Sequence, residues 1–327
     1  MTAAELRALA FRFRESRAVF AGVELGVFEA LGDGARSANE LAAELGLDAR
    51  ALGILLEALA ALEVLVDDGG RYAIASELRA TLVPHGASYA GNLFLHDLWH
   101  WTSWARLDQS IRAGSARQRG DGDAHLGDPE ILGRFLPNYV LAMEQSEGGA
   151  SEALARRIAA LAPKRVLDLG GGSGGLLLRV LEREPSACGT LVDHVFSLSR
   201  ARERASRSPA RERMELLGLD FEKRQIPREH DVIVLSRVLM GMTPERARAL
   251  VERAAEALPE GGVLIVHEFD AQTRVGALLS LDMLLHTGGA AHPRAQLEGW
   301  LAESGLELES ARRVLPYTRA WIARRNG

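Results

Sequence analysis

The sequence predicts an α/β fold with a mainly parallel sheet of seven strands, preceded by a smaller helical region that ends in a β-hairpin. After Pro163, short apolar and β-branched runs alternate with helical stretches, and a glycine-rich turn follows the first of these runs. Strands that alternate with helices in this way form a parallel sheet covered by helices. The last two strands are separated only by a short turn around Pro316, so we expect them to form an antiparallel pair at one edge.

The composition is that of an ordinary globular protein. The 327 residues include 39 basic and 44 acidic side chains, which gives a formal net charge of −5, and 47% of the residues are hydrophobic. This length predicts two domains or one large one. No apolar run approaches the roughly 20 residues of a membrane-spanning helix, and the N-terminal segment lacks the pattern of a secretion signal. We therefore expect a cytoplasmic protein with no membrane partner.

The N-terminal region is predicted to be a winged helix. Apolar residues recur at helical spacing from Ala18 to Leu65, and glycines at positions 32, 34 and 46 break the pattern into three short helices. The turn Asp68-Gly69-Gly70 then joins two short strands in a hairpin. Helices followed by such a hairpin make a winged helix, which we assign to a first domain of residues 1–83.

The charge of this region argues against DNA as its partner. Between Ser37 and Asp68 the chain carries seven acidic residues and one basic residue, Arg50. Such a surface repels the phosphate backbone. The apolar helix faces are better suited to packing against a second copy of the chain, so we expect a homodimer that binds no nucleic acid.

Residues 84–162 are predicted to form a connecting helical layer, interrupted by a loop rich in Gly and Asp from residue 114 to residue 128. In the stretch HDLWHWTSW, His96 and His100 lie one helical turn apart, with Trp99 on the same face. We expect these side chains to line a pocket for a planar small-molecule substrate, with a packed contact between domains or subunits as the alternative. HDLWH lacks the glutamate of the zinc motif HExxH, so we expect no metal site.

A third domain, residues 163–327, is predicted to begin with a strand that leads through the glycine-rich turn VLDLGGGSGG into a helix. Such a turn brings backbone N–H groups close to a bound nucleotide. Asp193 ends the next strand, where a carboxylate accepts hydrogen bonds from both hydroxyls of a ribose. The turn matches both the dinucleotide pattern GxGxxG and the pattern DxGxGxG, whose residues are Asp168, Gly170, Gly172 and Gly174.

Taken together, these motifs resemble the class I S-adenosylmethionine-dependent O-methyltransferases of small molecules. The resemblance rests on VELGVFEAL, DLGGGSGG, LDF, ALPEGGVLIVHE and YTRAWIARR, which occur in the family's order. It implies a Rossmann-like seven-stranded sheet preceded by an all-helical winged-helix dimerisation domain. The implied cofactor is S-adenosylmethionine, and the implied reaction transfers a methyl group to a hydroxyl of an aromatic or polyketide-like metabolite.

The resemblance also implies a set of binding residues. The glycines would line the methionyl part of the cofactor, Asp193 the ribose, and Asp220 with Phe221 the adenine edge, although Phe221 also suits a core position. Ser236 takes the place of a lysine that plant relatives have near the cofactor. The cofactor-binding residues are thus predicted to be Asp168, Gly170, Gly172, Gly174, Asp193, Asp220, Phe221 and Ser236. Methionines predicted to line the substrate pocket are Met143, Met240 and Met242.

The catalytic positions depart from the family pattern. Met240 stands where the family commonly has a histidine base, and a thioether takes up no proton at neutral pH. Glu268 coincides with a family glutamate that orients this base, whereas Ala291 replaces a second family acid. We predict that His286, on the helix after the fifth strand, is the general base, because an imidazole titrates near neutral pH. A histidine that only stabilises a helix C-terminus is the alternative.

Two other functions stay open at this point. The replaced catalytic residues are compatible with a relative that keeps the cofactor but catalyses hydroxylation, decarboxylation or a cyclisation. The winged helix is compatible with a regulator that senses a nucleotide-like ligand, although its acidic helices count against DNA binding.

Several further residues are predicted to have structural roles only. Cys188 is the single cysteine, so it forms no internal disulfide, and we expect it in the core. Five histidines lie in or near predicted turns, and we expect them at the surface: His85, His125, His194, His230 and His292.

Overall fold

The computed structural model describes residues 1–114 and 129–326. The predicted loop beyond residue 114, including His125, lies outside the described residues. The chain divides into two compact units, Met1–His100 and Trp101–Gly327. The domain boundaries predicted after residues 83 and 162 remain predictions.

The first unit combines helices with a small sheet. Its helices are α1 (Ala3–Phe11), α2 (Phe13–Glu24), α3 (Val27–Leu31), α4 (Ala38–Leu45), α5 (Ala49–Ala61), α6 (Arg79–Leu82) and the start of α7 (Gly91–Trp104). Its strands are β1 (Arg36–Ser37), β2 (Leu65–Asp68) and β3 (Arg71–Ile74), in the order β1-β3-β2. The predicted hairpin is therefore confirmed. The hairpin belongs to a three-stranded sheet, because the two-residue strand β1 pairs with β3. The region is therefore mainly helical and not all-helical, and a strand of two residues gives no sequence signal.

Local sequence explains where these elements begin and end. The Ser37 hydroxyl accepts a hydrogen bond from the Glu40 N–H, and the Glu40 carboxylate accepts one from the Ser37 N–H, so a capping box starts α4. Gly69 and Gly70 have φ of 60° and 85°, as a tight two-residue hairpin turn requires. The prediction of three helices between Ala18 and Leu65 was wrong. Gly26, with a φ of 74°, ends the first of them early and makes four.

The second unit is an α/β domain. Its helices are α8 (Leu107–Ala113), α9 (Pro129–Ala159), α10 (Gly175–Arg183), α11 (Val195–Ser206), α12 (Pro244–Ala257), α13 (Arg274–His286) and α14 (Arg294–Glu303). Its strands are β4 (Arg165–Leu169), β5 (Cys188–Asp193), β6 (Met214–Gly218), β7 (Val232–Ser236), β8 (Val263–Phe269), β9 (Leu306–Leu315) and β10 (Thr318–Arg325). A short 3₁₀ turn, Leu239–Gly241, follows β7.

The seven strands form one sheet in the order β6-β5-β4-β7-β8-β10-β9. The strands from β6 to β8 are parallel, whereas β10 runs antiparallel to both β8 and β9. The predicted fold, with an antiparallel pair of last strands at one edge, is confirmed. Chain order reverses between β4 and β7, and ligands of open α/β sheets bind in the crevice that such a reversal creates at the carboxyl ends of the strands.

Helices cover the sheet on both faces. On one face, Val166, Val234 and Ile265 pack in a core with residues of α9, α10 and α11. On the other face, Leu235 and Val266 pack in a core with residues of α12 and α14. Successive side chains of a strand point to opposite faces of the sheet. Neighbouring polar residues at the carboxyl end of a strand therefore lie on opposite faces.

Three further structural predictions were wrong. Cys188 is exposed, because it is the first residue of β5 and lies outside the layer of buried residues that follows it. His230 and His292 are each 3% exposed. Their ring nitrogens meet buried partners, since Nε2 of His230 lies 3.1 Å from Oγ1 of Thr190 and Nε2 of His292 lies 2.9 Å from the Leu239 carbonyl. His85 and His194 are exposed, as predicted.

Among the helices of the described residues, none combines the length and the apolar character needed to cross a membrane.

Candidate active site

The glycine-rich turn joins the carboxyl end of β4 to the start of α10. Gly170, Gly172 and Gly174 have φ of 74°, 56° and 77°, a region that residues with a side chain rarely adopt. A Cβ atom on Gly170 would lie 2.6 Å from Cγ2 of Val238, so the turn packs closely against the segment after β7. At Gly172, a Cβ atom would meet no heavy atom of the described residues within 4 Å. The turn is therefore tight on one side and open at Gly172.

Asp193, the last residue of β5, is bonded directly to this turn. Its Oδ2 accepts a hydrogen bond from the Gly172 N–H at 2.7 Å, and its Oδ1 accepts one from the His194 N–H at 2.6 Å. Each carboxylate oxygen has a second lone pair, so Asp193 keeps capacity to accept bonds from a ligand hydroxyl. The structure thus brings together two residues that the sequence predicted for cofactor binding.

Asp168 lies beneath the turn, in β4. It is 1% exposed, and neither of its carboxylate oxygens has a hydrogen-bond partner among the residues that the structure describes. Burial, reinforced by the nearby carboxylates of Glu147 and Asp193, raises the pKa of Asp168 to about 7. A buried carboxylate without a partner is costly, and a cationic group of a ligand would compensate for it.

Asp220 and Phe221 lie two and three residues after the end of β6. The Phe221 ring is buried in the core, and its Cζ would lie 3.6 Å from a Cβ atom on Gly170. The core interpretation of Phe221 is therefore confirmed, and its place beside the turn leaves the contact with adenine a prediction. Asp220 is partly exposed and pairs with Nζ of Lys223 at 2.9 Å, a hydrogen bond that lowers the pKa of the Asp220 carboxyl.

Ser236 ends β7 and contacts a residue that the sequence analysis did not single out. Its Oγ lies 3.0 Å from Nδ1 of His267 on β8, in register with it. His267 is buried, and burial lowers its pKa to about 3, so the ring is neutral at physiological pH. The next residue, Arg237, has a φ of 58° and donates its N–H to the His267 carbonyl at 2.7 Å. The only sequence signal for His267 was its position beside Glu268 at the end of a buried strand.

Glu268 lies on the opposite face of the sheet, under the Leu239–Gly241 turn. Its Oε1 accepts a hydrogen bond from the Leu239 N–H at 2.7 Å, and it is 1% exposed. Burial raises the pKa of Glu268 to about 7, against the opposing effect of its backbone hydrogen bonds. Glu268 therefore supports the turn that carries Met240, at the position where the family has its base.

His286 is the last residue of α13, and the chain after this helix packs against the same turn. A Cβ atom on Gly289 would lie only 2.1 Å from the carbonyl oxygen of Met240. Nδ1 of His286 lies 2.8 Å from the backbone carbonyl of Asp282 and 3.5 Å from its Oδ1. The structure thus places the chain three residues beyond the predicted base directly against the Met240 carbonyl. Asp282 was missed in the sequence, where an acid four residues before a histidine on a helix is its only signal.

The residues predicted to line the substrate pocket are three methionines and three residues of α7. Met143 on α9 and Met240 are partly exposed, whereas Met242 is 4% exposed and belongs to the core. His96, Trp99 and His100 lie on α7, where the rings of the two histidines meet edge to face at 4.3 Å between centroids. For these six residues, contact with a substrate remains a prediction.

A polar network connects α9 and α11 to the glycine turn. Nη1 of Arg204 donates to Oγ of Ser173 at 2.8 Å, and it lies 3.4 Å from Oε1 of Glu144. Oγ of Ser173 lies 3.3 Å from Oε1 of Glu147, the residue that also raises the pKa of Asp168. Sequence reasoning missed this network, because its members lie far apart along the chain and share no motif.

Two family models match the chain. One is described as an O-methyltransferase dimerisation domain and matches residues 8–78. The other is described as an O-methyltransferase domain and matches residues 138–307, more than half of the chain. The chain belongs to the O-methyltransferase family. The matched range contains the glycine turn, Asp193, Glu268 and His286. This O-methyltransferase therefore uses S-adenosylmethionine as its cofactor and transfers a methyl group, and the predictions of family, cofactor and enzyme class are confirmed.

Three relatives of this O-methyltransferase are similar to it over different shares of the chain. The 3-hydroxy-5-methyl-1-naphthoate 3-O-methyltransferase of Streptomyces sahachiroi is 29% identical and aligns over 94% of this chain and 91% of its own. The solved structure of the mitomycin 7-O-methyltransferase MmcR superimposes with a TM-score of 0.87 at 26% identity, over 98% of this chain and 97% of its own. The aclacinomycin 10-hydroxylase RdmB of Streptomyces purpurascens is 35% identical over 46% of this chain and 42% of its own.

Proposed function

We propose that this O-methyltransferase methylates a hydroxyl group of a small aromatic or polyketide-like metabolite. The observation that carries the proposal is the arrangement at the carboxyl ends of β4 and β5, where an open glycine turn lies between Asp168 and Asp193. The substrate class is supported by the relatives, of which one is named for a hydroxynaphthoate and another for mitomycin.

The residues at this end of the sheet fit S-adenosylmethionine. The partnerless carboxylate of Asp168 would pair with the ammonium group of the methionyl part, and the backbone at Gly172 leaves room for it. Asp193 would accept hydrogen bonds from the ribose hydroxyls, and Phe221 would border the adenine. When bound, the cofactor would supply an electrophilic methyl group on a sulfonium, with S-adenosylhomocysteine as the leaving group once the methyl–sulfur bond breaks.

Residues of this chain would supply the proton transfer and the positioning. His286 would take the proton from the substrate hydroxyl as its oxygen forms the bond to the methyl carbon. Glu268 would hold the Leu239–Gly241 turn in place through its bond to the Leu239 N–H. Met143 and Met240 would exclude water and hold a planar substrate in line, which supplies a large part of the rate of a displacement.

The assembly that we propose is a homodimer formed through the dimerisation domain. None of the residues of α1 is buried, and Leu6, Leu9, Phe11 and Phe13 are between 42% and 57% exposed. Apolar side chains grouped in this way favour a protein contact, and a second copy of the chain would cover them. The absence of nucleic acid as a partner and a cytoplasmic location also remain proposals, supported by the acidic winged helix and by the single cysteine.

A second candidate function is hydroxylation of the same kind of metabolite. It is favoured by Met240 and Ala291, which replace two family catalytic residues, and by the similarity to a protein named as a hydroxylase. In that case the cofactor site would be kept, O₂ would supply the oxygen atom, and an added thiol would supply the two electrons that reduce the second oxygen atom to water.

Labelled S-adenosylmethionine distinguishes the two functions. The protein is incubated in air with methyl-labelled cofactor, a thiol reductant and a panel of hydroxylated naphthoates and anthraquinones, and products are analysed by mass spectrometry. We expect label in at least one product, and loss of that label with Asp193→Ala. A product heavier by one oxygen atom and free of label would overturn methyl transfer in favour of hydroxylation.

A further inference from the structure

We propose that Asp282, held in place by Trp104, is a positioning residue that prepares His286 to accept a proton. The inference rests on the proposed function, in which His286 is the general base. It assigns a second carboxylate and an indole to a site where the family's usual base is replaced by Met240.

The protonation of the His286 ring follows from its hydrogen bond to the backbone. Nδ1 lies 2.8 Å from the carbonyl oxygen of Asp282, within hydrogen-bond distance. A carbonyl oxygen only accepts hydrogen bonds, so Nδ1 has to carry the hydrogen. In the neutral ring the lone pair is then on Nε2, and Nε2 is the atom that takes up a proton.

The Asp282 side chain lies on the Nδ1 side of the same ring. Its Oδ1 is 3.5 Å from Nδ1 of His286, and the two side chains are 17% and 19% exposed. When Nε2 takes a proton, the ring becomes an imidazolium whose positive charge is shared with the Nδ1–H group. A carboxylate beside Nδ1 stabilises that cation, as the aspartate of a serine protease triad does.

Trp104 fixes this carboxylate from a second helix. Its indole Nε1 donates a hydrogen bond to Oδ1 of Asp282 at 2.9 Å, and this is the same oxygen that faces His286. Trp104 ends α7 and Asp282 lies in α13, so the bond links two helices that are far apart in the sequence. Because the indole is rigid and only donates, it holds the carboxylate in one orientation.

The helix that carries this group is connected to the turn where the family's base is missing. The chain after α13 packs against the Leu239–Gly241 turn, with Gly289 directly against the Met240 carbonyl. The Ala291 N–H bonds to Oγ of Ser280 on α13 at 3.1 Å, so the segment that has lost the second family acid is tied to the helix that carries His286. A histidine that only stabilised the end of α13 would need neither the Asp282 carboxylate nor its indole donor.

The first test is a nuclear magnetic resonance measurement on the full-length protein labelled with ¹⁵N-histidine and saturated with S-adenosylhomocysteine. The His286 signals are assigned by their loss in His286→Gln. We expect the neutral ring to carry its hydrogen on Nδ1, and a ring with its hydrogen on Nε2 would overturn the proposal. At a pH that protonates the ring, the Nδ1–H proton should shift downfield in the wild type and much less in Asp282→Asn.

The second test compares turnover of Asp282→Asn and Trp104→Phe with that of a matched control. Glu298→Gln serves as the control. Glu298 lies on α14, and its Oε1 also accepts a hydrogen bond from an indole N–H, that of Trp321 at 3.3 Å. We expect kcat on the acceptor found with the panel above to fall about 10- to 100-fold in Asp282→Asn and less in Trp104→Phe. The KM for the cofactor should stay constant in both variants, and Glu298→Gln should behave as the wild type.

These outcomes separate the inference from the function on which it rests. If no acceptor is methylated but the ring carries its hydrogen on Nδ1 and responds to Asp282→Asn, the proposed function fails and the positioning role stands. If methylation proceeds and Asp282→Asn changes neither kcat nor the Nδ1–H signal, the positioning role is wrong. Thermal unfolding and S-adenosylhomocysteine binding, measured on every variant, identify any that fails to fold, and Trp104→Phe then carries the test.

Discussion

The Gly172 N–H donates a hydrogen bond to Oδ2 of Asp193 across 2.7 Å, and this bond ties the glycine turn after β4 to the carboxyl end of β5. Asp193 therefore has a structural task in the protein alone, besides the contact with the ribose that we propose for it. The bond holds the turn in the left-handed conformation in which Gly172 faces open space. The cofactor would meet a turn that is already in place, which reduces the entropy cost of binding.

Replacement of Asp193 should weaken cofactor binding and loosen the turn. In Asp193→Ala we expect a loss of roughly 1 to 3 kcal/mol in the binding free energy of S-adenosylhomocysteine, because both ribose hydroxyls and the Gly172 N–H lose their acceptor. Isothermal titration calorimetry measures this loss. Asp231→Ala is the matched control, since Asp231 also accepts two backbone N–H bonds, from Lys164 and Arg165, at the opposite end of the strands. It should lower stability and leave the affinity nearly unchanged.

The affinity for S-adenosylhomocysteine should depend on pH through Asp168. This ligand keeps the ammonium group, which needs an ionised carboxylate as its partner. Because the pKa of Asp168 is raised to about 7, affinity should rise by up to about tenfold per pH unit below that value and level off above it. Asp168→Asn should remove this slope. A slope that persists in Asp168→Asn would assign it to another group.

The same carboxyl should affect the stability of the protein without ligand. Its pKa in the folded state, about 7, lies above the ordinary value of 3.8, so between these values the folded protein holds a proton that the unfolded chain has released. The free energy of unfolding should therefore fall as the pH rises through this range and stay low above it. Urea unfolding at a series of pH values should show a smaller fall in Asp168→Asn than in the wild type.

Loss of His286 should reduce turnover and leave cofactor binding intact. In His286→Ala we expect kcat to fall by about 10²- to 10⁴-fold, the usual contribution of a general base. Met240→His in the His286→Ala background should restore part of the rate, because it places an imidazole on the turn that Glu268 supports. A loss of less than about tenfold in His286→Ala would mean that positioning and desolvation suffice for an acidic phenol.

Dimerisation should depend on the apolar surface of the first two helices. Light scattering of the intact protein should give twice 35.4 kDa. The double variant Phe11→Glu, Phe13→Glu should shift this toward the monomer, because it would bury two charges in the contact. Arg7→Glu, an exposed charge reversal on α1, tests whether charge alone is responsible. A wild-type monomer at micromolar concentration would contradict the proposal.

Much of the fold was predictable from the sequence, because its signals are local. The strands of the second unit are short apolar runs bounded by polar residues, and the glycine turn directly follows the first of them. The hairpin at Gly69 and Gly70 was predictable for the same reason, since only a tight turn needs two residues with positive φ. The exception is the early end of α2 just before Gly26. A single glycine inside an apolar pattern either stays within a helix or ends it, and the pattern alone does not distinguish the two cases.

The sequence by itself determined the order of the strands along the chain, the nucleotide-like site after the first strand of the sheet and the replacement of the family's base by Met240. Only the tertiary structure decided which distant residues meet. Trp104 and Asp282 are separated by 178 positions, and Ser173 and Arg204 by 31. The burial of His230 and His292, which lie near turns in the sequence, was also decided by the tertiary structure. Periodicity reports which face of an element is apolar, whereas the partner of a polar side chain depends on how separate elements pack, and no local pattern encodes that.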